Sequence, residues 1–423
     1  MSFSQALSGL NSQSQKLGAI GNNIANSQTV GFKGSNVQFS DVFANSRVGL
    51  GTRVSAVLQN FNEGNIESTN RNLDLAVAGN GFFRFMDTSG EVVYSRNGQL
   101  TMKPNGDLVN AQGFQIMGYG LNAAGQVQVG GQPVPLNVSS EELAASATTR
   151  VGTTLNLDAR MQPGSDDMST VEARDVNGDP VSIDYHYSNN FTVYDSLGNP
   201  RNISVYYEKV GSNEWTAKMT LDGQALGGAT PDTATTYTLE FDANGKLVHG
   251  GGNVGANGAI AGIQFPTNEF FNGEPLDLEF DLNLAGSTQF GNSSTVSSLT
   301  QNGYTSGTLV GITINEDGTV MRNYSNEESR PAGQVALVSF RNPEGLTPAG
   351  DNVWRASNES GQELVGAPGT GLLGSVVSGA VETSNVDMAR ELVNMIVAQR
   401  AYQANSQTIK TQDELLQTAI NLR

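Results

Sequence analysis

The stretch GNNIANSQTVGFKGSNVQF, residues 21–39, places four asparagines and three glycines among apolar residues, with Lys33 as its single charge. Asparagine side chains satisfy backbone groups where a helix ends, and glycine adopts backbone angles that other residues avoid. The alternative is a surface loop after a helix. We predict a connector motif in which three asparagines end a helix, two glycines turn the chain toward a β layer and two phenylalanines anchor it: Asn22, Asn23, Asn26, Gly31, Gly34, Phe32 and Phe39.

Both ends of the chain carry apolar residues at a seven-residue spacing, which is typical of helices that pair as a coiled coil. The alternative is that each end is an amphipathic helix packed on its own domain. At the second end, the motif SNVD from Ser384 to Asp387 resembles a capping box and predicts a helix start at Ser384. The predicted assembly helices carry Phe3, Leu10, Leu17 and Ile24 at the N-terminus, and Met388, Leu392, Met395, Tyr402, Ile409 and Leu416 at the C-terminus.

The segment between the two ends is rich in turn signals with β-type residues around them, such as KPNGDLV (103–109) and NEDGTVM (315–321). Residues 191–210, FTVYDSLGNPRNISVYYEKV, alternate between apolar and polar and predict a hairpin. This spacing predicts a mainly β, multidomain protein with sandwich-like or barrel-like domains, one inserted into the other.

Composition shifts suggest where these domains begin and end. The stretch from 141 to 300 holds 21 acidic and 7 basic side chains and is flanked by segments rich in Ser, Thr and Gly. We therefore predict four parts: a helical coiled-coil domain (1–26 and 384–423), a connector (27–70 and 376–383), a discontinuous inner β domain (71–148 and 298–375) and an inserted acidic outer β domain (149–297).

The net charge of -18, with no basic stripe, argues against nucleic acid as a partner. No apolar run is long enough for membrane insertion, and the N-terminus lacks the features of a cleavable signal peptide. The chain has no cysteine and two histidines, and its Asp/Asn-Gly turns lack essential calcium ligands. We predict no catalytic residue, no cofactor and no metal, and thus no enzyme.

Three segments resemble the signatures of the bacterial flagellar rod and hook proteins: IGNNIANSQTVGFKGSNVQFSDVF (20–43), EGNIESTNRNLDLAVAGNGFFRF (63–85) and SNVDMARELVNMIVAQRAYQANSQTIKTQDELLQTAINLR (384–423). Two more, TVYDSLGNP (192–200) and QNGYTSGTLVGITINEDGTVMRNYSN (301–326), are similar to segments of the hook members of that group. The acidic middle, from about 150 to 297, matches poorly.

The resemblance implies a structural subunit that polymerises with itself into a curved tube outside the cell, a universal joint that transmits torque from rod to filament for swimming motility. It implies that the terminal helices form the inner tube. The implied partners are a hook cap protein, a distal rod protein, a hook-filament junction protein and the flagellar type III export apparatus. The alternatives are a distal rod or hook-filament junction protein, or a secreted β-rich adhesin.

Overall fold

The computed structural model describes residues 3–43, 49–164, 167–175, 178–227, 234–250, 252–265 and 278–421, with the backbone alone for 419–421. Helices α1 (Phe3–Ala25) and α2 (Met388–Asn421) lie at the two ends of the chain. A short 3-10 helix spans Pro343–Gly345. The strands are β1 Ser35–Val42, β2 Gly51–Gln59, β3 Ile66–Ser68, β4 Asp74–Ala78, β5 Phe82–Met86, β6 Val92–Ser95, β7 Gly98–Gln99, β8 Thr101–Met102, β9 Leu108–Val109, β10 Gln115–Tyr119, β11 Val134–Pro135, β12 Arg150–Asp158, β13 Ser169–Arg174, β14 Pro180–Tyr185, β15 Tyr187–Tyr194, β16 Pro200–Lys209, β17 Glu214–Leu221, β18 Gln224–Ala225, β19 Thr236–Glu240, β20 Ala259–Gln264, β21 Glu279–Asn283, β22 Thr288–Phe290, β23 Thr295–Gln301, β24 Leu309–Ile314, β25 Thr319–Tyr324, β26 Ser329–Val335, β27 Leu337–Ser339, β28 Thr347–Gly350, β29 Val353–Arg355, β30 Leu364–Gly366, β31 Ser375–Ser378 and β32 Ala380–Glu382.

The chain folds as two compact units. Unit 1 contains residues 1–140, 310–323 and 329–423, and unit 2 contains residues 141–309 and 324–328. Unit 1 therefore holds both helices and is completed by chain from either side of unit 2. The protein is mainly β with helices at its two ends, as the sequence predicts.

Unit 1 is organised around a large, mostly antiparallel sheet in which β26, β10, β5, β6, β29 and β28 are successive neighbours. A smaller sheet, β31-β4-β7, lies in the same unit. Side chains of both sheets, such as Leu75, Phe83 and Val376, form one apolar core. A second cluster is aromatic and contains Phe82 and Trp354. The antiparallel pair β1–β2 forms a separate two-stranded sheet, and β3 pairs with β32.

Unit 2 is a β-sandwich. One sheet has the order β20-β21-β12-β22, with β23 also paired to β12, and the other runs β14-β13-β18-β17-β16-β15. Their inner faces supply one apolar core that includes Leu155, Trp215 and Phe280. The predicted hairpin at 191–210 is confirmed, because β15 and β16 pair antiparallel, from Tyr187 with Tyr207 to Tyr194 with Pro200, around the turn at 195–199.

The predicted start of the second helix at Ser384 is wrong by four residues. Helix α2 begins at Met388, and the carboxylate of Asp387 accepts hydrogen bonds from the backbone amides of Ala389 (2.9 Å) and Arg390 (3.2 Å). Asp387 is therefore the N-cap, because a capping side chain must lie directly before the first turn. The hydroxyl of Ser384 instead accepts from the amide of Val386 within the preceding loop.

Candidate functional site

Helices α1 and α2 pack against each other in antiparallel orientation. Gly9 of α1 lies against Asn405 of α2, and a Cβ at this glycine would be 3.0 Å from the Asn405 amide nitrogen. At the other end of α1, the Asn23 side-chain amide is 3.4 Å from the Glu391 carboxylate. The first helix therefore runs alongside the N-terminal two thirds of the second, and the packing is close enough to require a small residue at position 9.

A second face of α1 contacts the β1–β2 sheet through uncharged polar side chains. The Ser8 hydroxyl accepts from the amide of Thr52 (3.2 Å), and the Gln5 amide donates to the carbonyl of Gly49 (2.6 Å). Ser12 is buried and donates to the carbonyl of Thr52. Because α1 is covered on two sides, its polar residues bond to protein, which accounts for the near absence of charge in this helix.

Asparagines organise the exit from α1. The backbone amide and the side chain of Asn26 both donate to the carbonyl of Asn22 (3.1 and 3.0 Å), and Ser27 donates to the carbonyl of Ile24. Asn23 is buried and exchanges two 2.9 Å hydrogen bonds with the backbone of Ser35 at the start of β1. These amides satisfy the last helical carbonyls and join the helix to the sheet beside it.

The glycines and phenylalanines of the predicted connector motif come after these asparagines in the chain. Gly31 has a φ of +68°, its amide donates to the carbonyl of Glu382, and a Cβ there would lie 2.7 Å from the Asn97 amide nitrogen. The amide of Gly34 donates to the Asn385 side chain (2.9 Å). Phe32 is half-buried, whereas Phe39 is partly exposed with the Lys16 ammonium above its ring.

A buried ionic group, which we call the junction cluster (Lys33, Arg96 and Glu382), joins the connector to the large sheet. The Lys33 ammonium is 2.6 Å from one oxygen of Glu382 and 2.6 Å from the carbonyl of Asn62. The Arg96 guanidinium is 3.3 Å from the other carboxylate oxygen and also donates to the backbone carbonyls of Val77 (3.1 Å) in β4 and of Gly79 (2.7 Å) directly after that strand. All three side chains are almost fully buried.

Burial governs the electrostatics of this cluster. It lowers the pKa of the Lys33 ammonium below its ordinary value, and the adjacent Glu382 carboxylate opposes that shift. Burial likewise lowers the pKa of the Arg96 guanidinium. Two cations therefore share one carboxylate in a place that water does not reach, and their positions are fixed by hydrogen bonds from three separate segments of the chain.

Away from α1, helix α2 presents an apolar surface to solvent. This surface, the exposed helical stripe, consists of Leu392, Val393, Ile396 and Val397, each at least 45% exposed. Ala398, on the opposite side of the helix, is 1% exposed and faces α1. A continuous apolar stripe on the outside of a helix is typical of a surface that takes part in an interaction.

The predicted assembly residues fall into two groups. Six are half-buried: Leu10, Leu17, Ile24, Met395, Tyr402 and Ile409. Four are exposed: Phe3, Met388, Leu392 and Leu416. The most buried positions of the helices are instead Ala6, Ser12, Ile20, Asn23 and Ala398.

Sequence reasoning missed Arg96, Glu382 and Asn385, which bind the connector from distant parts of the chain. Asn385 donates to the carbonyls of Asn60 (2.7 Å) and Asn62 (3.0 Å) in addition to accepting from Gly34. The signal that was available is Lys33, a lone cation among amides and apolar residues, which calls for a buried anion. Within the described ranges, neither helix combines the length and apolar composition that crossing a membrane requires.

Comparison with known families gives four matches in chain order. Their descriptions are the flagella basal body rod protein (4–33), the flagellar hook protein FlgE/F/G D1 domain (76–146), the flagellar basal body protein FlaE D2 domain (167–304) and the flagellar basal body rod FlgEFG protein C-terminal region (377–422). The first and last fall on α1 with the connector and on α2.

Named relatives match this chain over almost its whole length. The chain is 44% identical to the flagellar hook protein FlgE of Escherichia coli (strain K12) over 426 residues, which cover 100% of both chains. It is 33% identical to that of Brucella suis biovar 1, covering 99% of this chain and 97% of the relative. A crystal structure of Helicobacter pylori flagellar hook protein FlgE2 has a similar fold, with a TM-score of 0.52, 14% identity and coverage of 75% of this chain and 100% of that one. The chain therefore belongs to the flagellar hook protein FlgE family.

Proposed function

We propose that this chain is a structural subunit of the bacterial flagellar hook and that it polymerises through its terminal helices into a curved tube. The observation that carries this proposal is the exposed helical stripe on α2. Its four aliphatic side chains face solvent although α1 already covers the other side of the helix. Burying such a stripe against further copies removes apolar surface from water and favours assembly.

The tube acts as a universal joint that transmits torque from the rod to the filament. Helices packed along the tube resist twisting, whereas polar, hydrated contacts between β units slide at little cost as the tube bends. The junction cluster supports these different roles of the helices and the β units, because its buried ion pairs hold the connector in one geometry while force passes from the helices to the sheets.

The assembly lies outside the cell. The other proposed partners act during export, during the addition of subunits or at the two ends of the tube. We assign export to the flagellar type III apparatus, in keeping with a chain that has no cysteine to cross-link during transit. A hook cap protein guides addition of subunits, and the distal rod and hook-filament junction proteins contact the two ends of the finished tube. The subunit catalyses no reaction in this scheme.

Electron microscopy of the purified chain after raising its concentration and salt tests the proposal. The full chain is expected to form curved tubes, and a version lacking residues 1–30 and 385–423 is expected to stay monomeric. Val397→Asp, which charges the exposed helical stripe, should abolish tubes, whereas Gln403→Asp on an exposed polar position of the same helix should not.

Three results would contradict the proposal. Tubes from the truncated chain would place assembly outside the helices. Monomers from the full chain, even after seeding with preformed hook fragments, would exclude polymerisation as its function. Straight tubes would point to a rod subunit.

A further inference from the structure

We propose that an aromatic cavity in unit 1, the Phe82 cavity, binds the side chains of Phe43 and Asp41 from a second copy of this chain. The proposal rests on the self-assembly proposed above and names a contact that the helices do not make. The cavity has a volume of about 520 Å³ and is lined by Phe61, Phe82, Arg96, Phe340, Arg341 and Leu372 among others.

The floor of the cavity is built to receive an aromatic ring. Phe61 and Phe82 meet edge to face with their centroids 5.5 Å apart, and Phe340 lies 6.1 Å from Phe82 in a similar arrangement. Leu372 on the wall is 80% exposed, so a large apolar side chain there is left in contact with water. A space of roughly 150 Å³ holds a benzene ring in a protein interior, so a phenylalanine side chain fits here with room for its neighbours.

Positive charge accompanies the aromatic lining. The Arg96 guanidinium lies 5.6 Å above the Phe82 ring, and its buried Nε–H has no hydrogen-bond acceptor among the described residues. Arg341 is exposed at the cavity and forms no ion pair within the described part of the chain. A ligand that joins an aromatic ring to a carboxylate would therefore suit both the lining and the charge.

The chain at the end of β1 combines an exposed aromatic ring with an exposed carboxylate. Phe43, the first residue after β1, is 67% exposed, and Asp41, two residues before it in the strand, is exposed as well. Asp41 is the single acidic residue among the first 62 of the chain. It is exposed and forms no ion pair with any described residue. Of the other exposed phenylalanines, Phe3 lies on a helix without acidic residues and Phe290 has no acidic residue within five positions. The Phe39 ring, also two residues from Asp41, already has the Lys16 ammonium of its own chain above it.

The occupant must come from another copy. Within one chain, the far end of the β1–β2 sheet is tied to the aromatic cluster, because Trp354 donates its indole N–H to Gln59, which pairs with Ser35. Phe43 lies at the opposite end of β1, roughly 25 Å away at about 3.3 Å per residue. Phe43 is therefore too far from its own Phe82 cavity to enter it, and its exposed ring is available to a neighbouring subunit.

Disulfide trapping tests the contact directly, because the chain has no cysteine of its own. Phe43→Cys and Leu372→Cys variants are purified separately, mixed, polymerised and oxidised. We expect a disulfide-linked heterodimer that depends on polymerisation. The matched control replaces Leu372→Cys with Val129→Cys, an exposed apolar position of unit 1 away from the cavity, and should give little heterodimer.

A charge exchange supplies a second test that does not remove the ring. Arg341→Asp should raise the critical concentration for polymerisation about tenfold, since it sets two carboxylates against each other. Adding Asp41→Arg should restore assembly. Tubes that form with no more heterodimer than the control, or no rescue by the double exchange, would overturn the contact while leaving the proposed function intact. Absence of tubes from the unsubstituted chain would overturn both.

Discussion

Replacing Glu382 with glutamine is expected to destabilise unit 1 strongly. The substitution keeps the shape of the side chain but removes the single carboxylate that both Lys33 and Arg96 contact. Breaking a buried ion pair from one side leaves an uncompensated charge and costs about 3–5 kcal/mol. Two cations lose their counterion here, so the upper part of that range is expected for the free energy of unfolding.

Replacing Lys33 with methionine should cost less. Arg96 still neutralises Glu382, and the amide of Gly64 still donates to the carboxylate (2.8 Å). The carbonyl of Asn62 loses one of its two donors and keeps the Asn385 side-chain amide (3.0 Å), a loss of about 1–2 kcal/mol, and the burial of a charged ammonium is no longer required. The difference between the two variants, about 2 kcal/mol or more, is the sharper part of the prediction.

The pH dependence of the Glu382→Gln variant gives an independent check. Burial already lowers the pKa of Lys33, and removing the carboxylate removes the contribution that opposed this shift. A lysine whose pKa is lower in the folded state destabilises that state at pH values below the folded pKa. The penalty then shrinks as the pH rises toward the ordinary lysine pKa of about 10.4. The loss of stability should therefore be larger at neutral pH than in alkaline solution.

Urea unfolding followed by tryptophan fluorescence isolates unit 1. The chain has two tryptophans, Trp215 in the core of unit 2 and Trp354 in unit 1. In a Trp215→Phe background, the remaining indole reports unit 1 alone. Glu91→Gln, which breaks an exposed ion pair with Arg355 in the same unit, is the matched control and should change stability by about 1 kcal/mol or less.

Two results would refute the reasoning about the junction cluster. If Glu382→Gln and Glu91→Gln changed the free energy of unfolding equally, the stability of unit 1 would not depend on the Glu382 carboxylate. If Lys33→Met cost as much as Glu382→Gln, Arg96 would not be a partner of the carboxylate.

Three further predictions concern other parts of the chain. The double variant Asn22→Ala, Asn23→Ala should reduce the yield of polymer more than the stability of the sheets, because Asn23 ties α1 to β1; an unchanged yield would refute this. A charged residue in place of Leu17 or Met395 should stop assembly while unit 2 and the sheets of unit 1 stay folded, as judged by near-UV circular dichroism. Loss of the thermal transition of the sheets would instead assign these residues to an intramolecular core. The Arg160 guanidinium lowers the pKa of the Asp158 carboxyl, so the ion pair stabilises unit 2 above the ordinary Asp pKa of about 3.9, and this stabilisation is lost as the pH falls through the lower folded pKa. In unfolding experiments at a series of pH values, Asp158→Asn should therefore reduce the fall in the stability of unit 2 at acid pH. An unchanged fall would count against the ion pair.

Local features of the fold could be predicted from the sequence because they depend on neighbours along the chain. The seven-residue spacing predicts helices at both ends, and the structure contains α1 and α2 there. Alternation around the turn at 195–199 predicts the β15–β16 hairpin, where Gly198 has a φ of +81°. The error at the start of α2 is also local, since Ser384 and Asp387 are both good capping residues and the pattern does not decide between them.

Which face of each helix is covered could not be predicted from spacing. A helix with partners on two sides carries apolar residues on both, so periodicity alone does not separate the contact with α1 from the exposed helical stripe. The structure buries Ala398 and leaves Leu392 in solvent. Small residues such as Gly9 and Ala398 mark the closest approach of the helices, although a hydrophobicity pattern gives them little weight.

The class of protein, the helices at its ends and the turns of its β units could all be predicted from residue types at short spacing. The partners of Lys33, in contrast, depend on the three-dimensional fold. Its carboxylate, Glu382, is 349 positions away in the chain, and Arg96 belongs to a third segment. Long-range pairing of this kind depends on how sheets and loops bring distant residues into one buried place, and no local pattern encodes it.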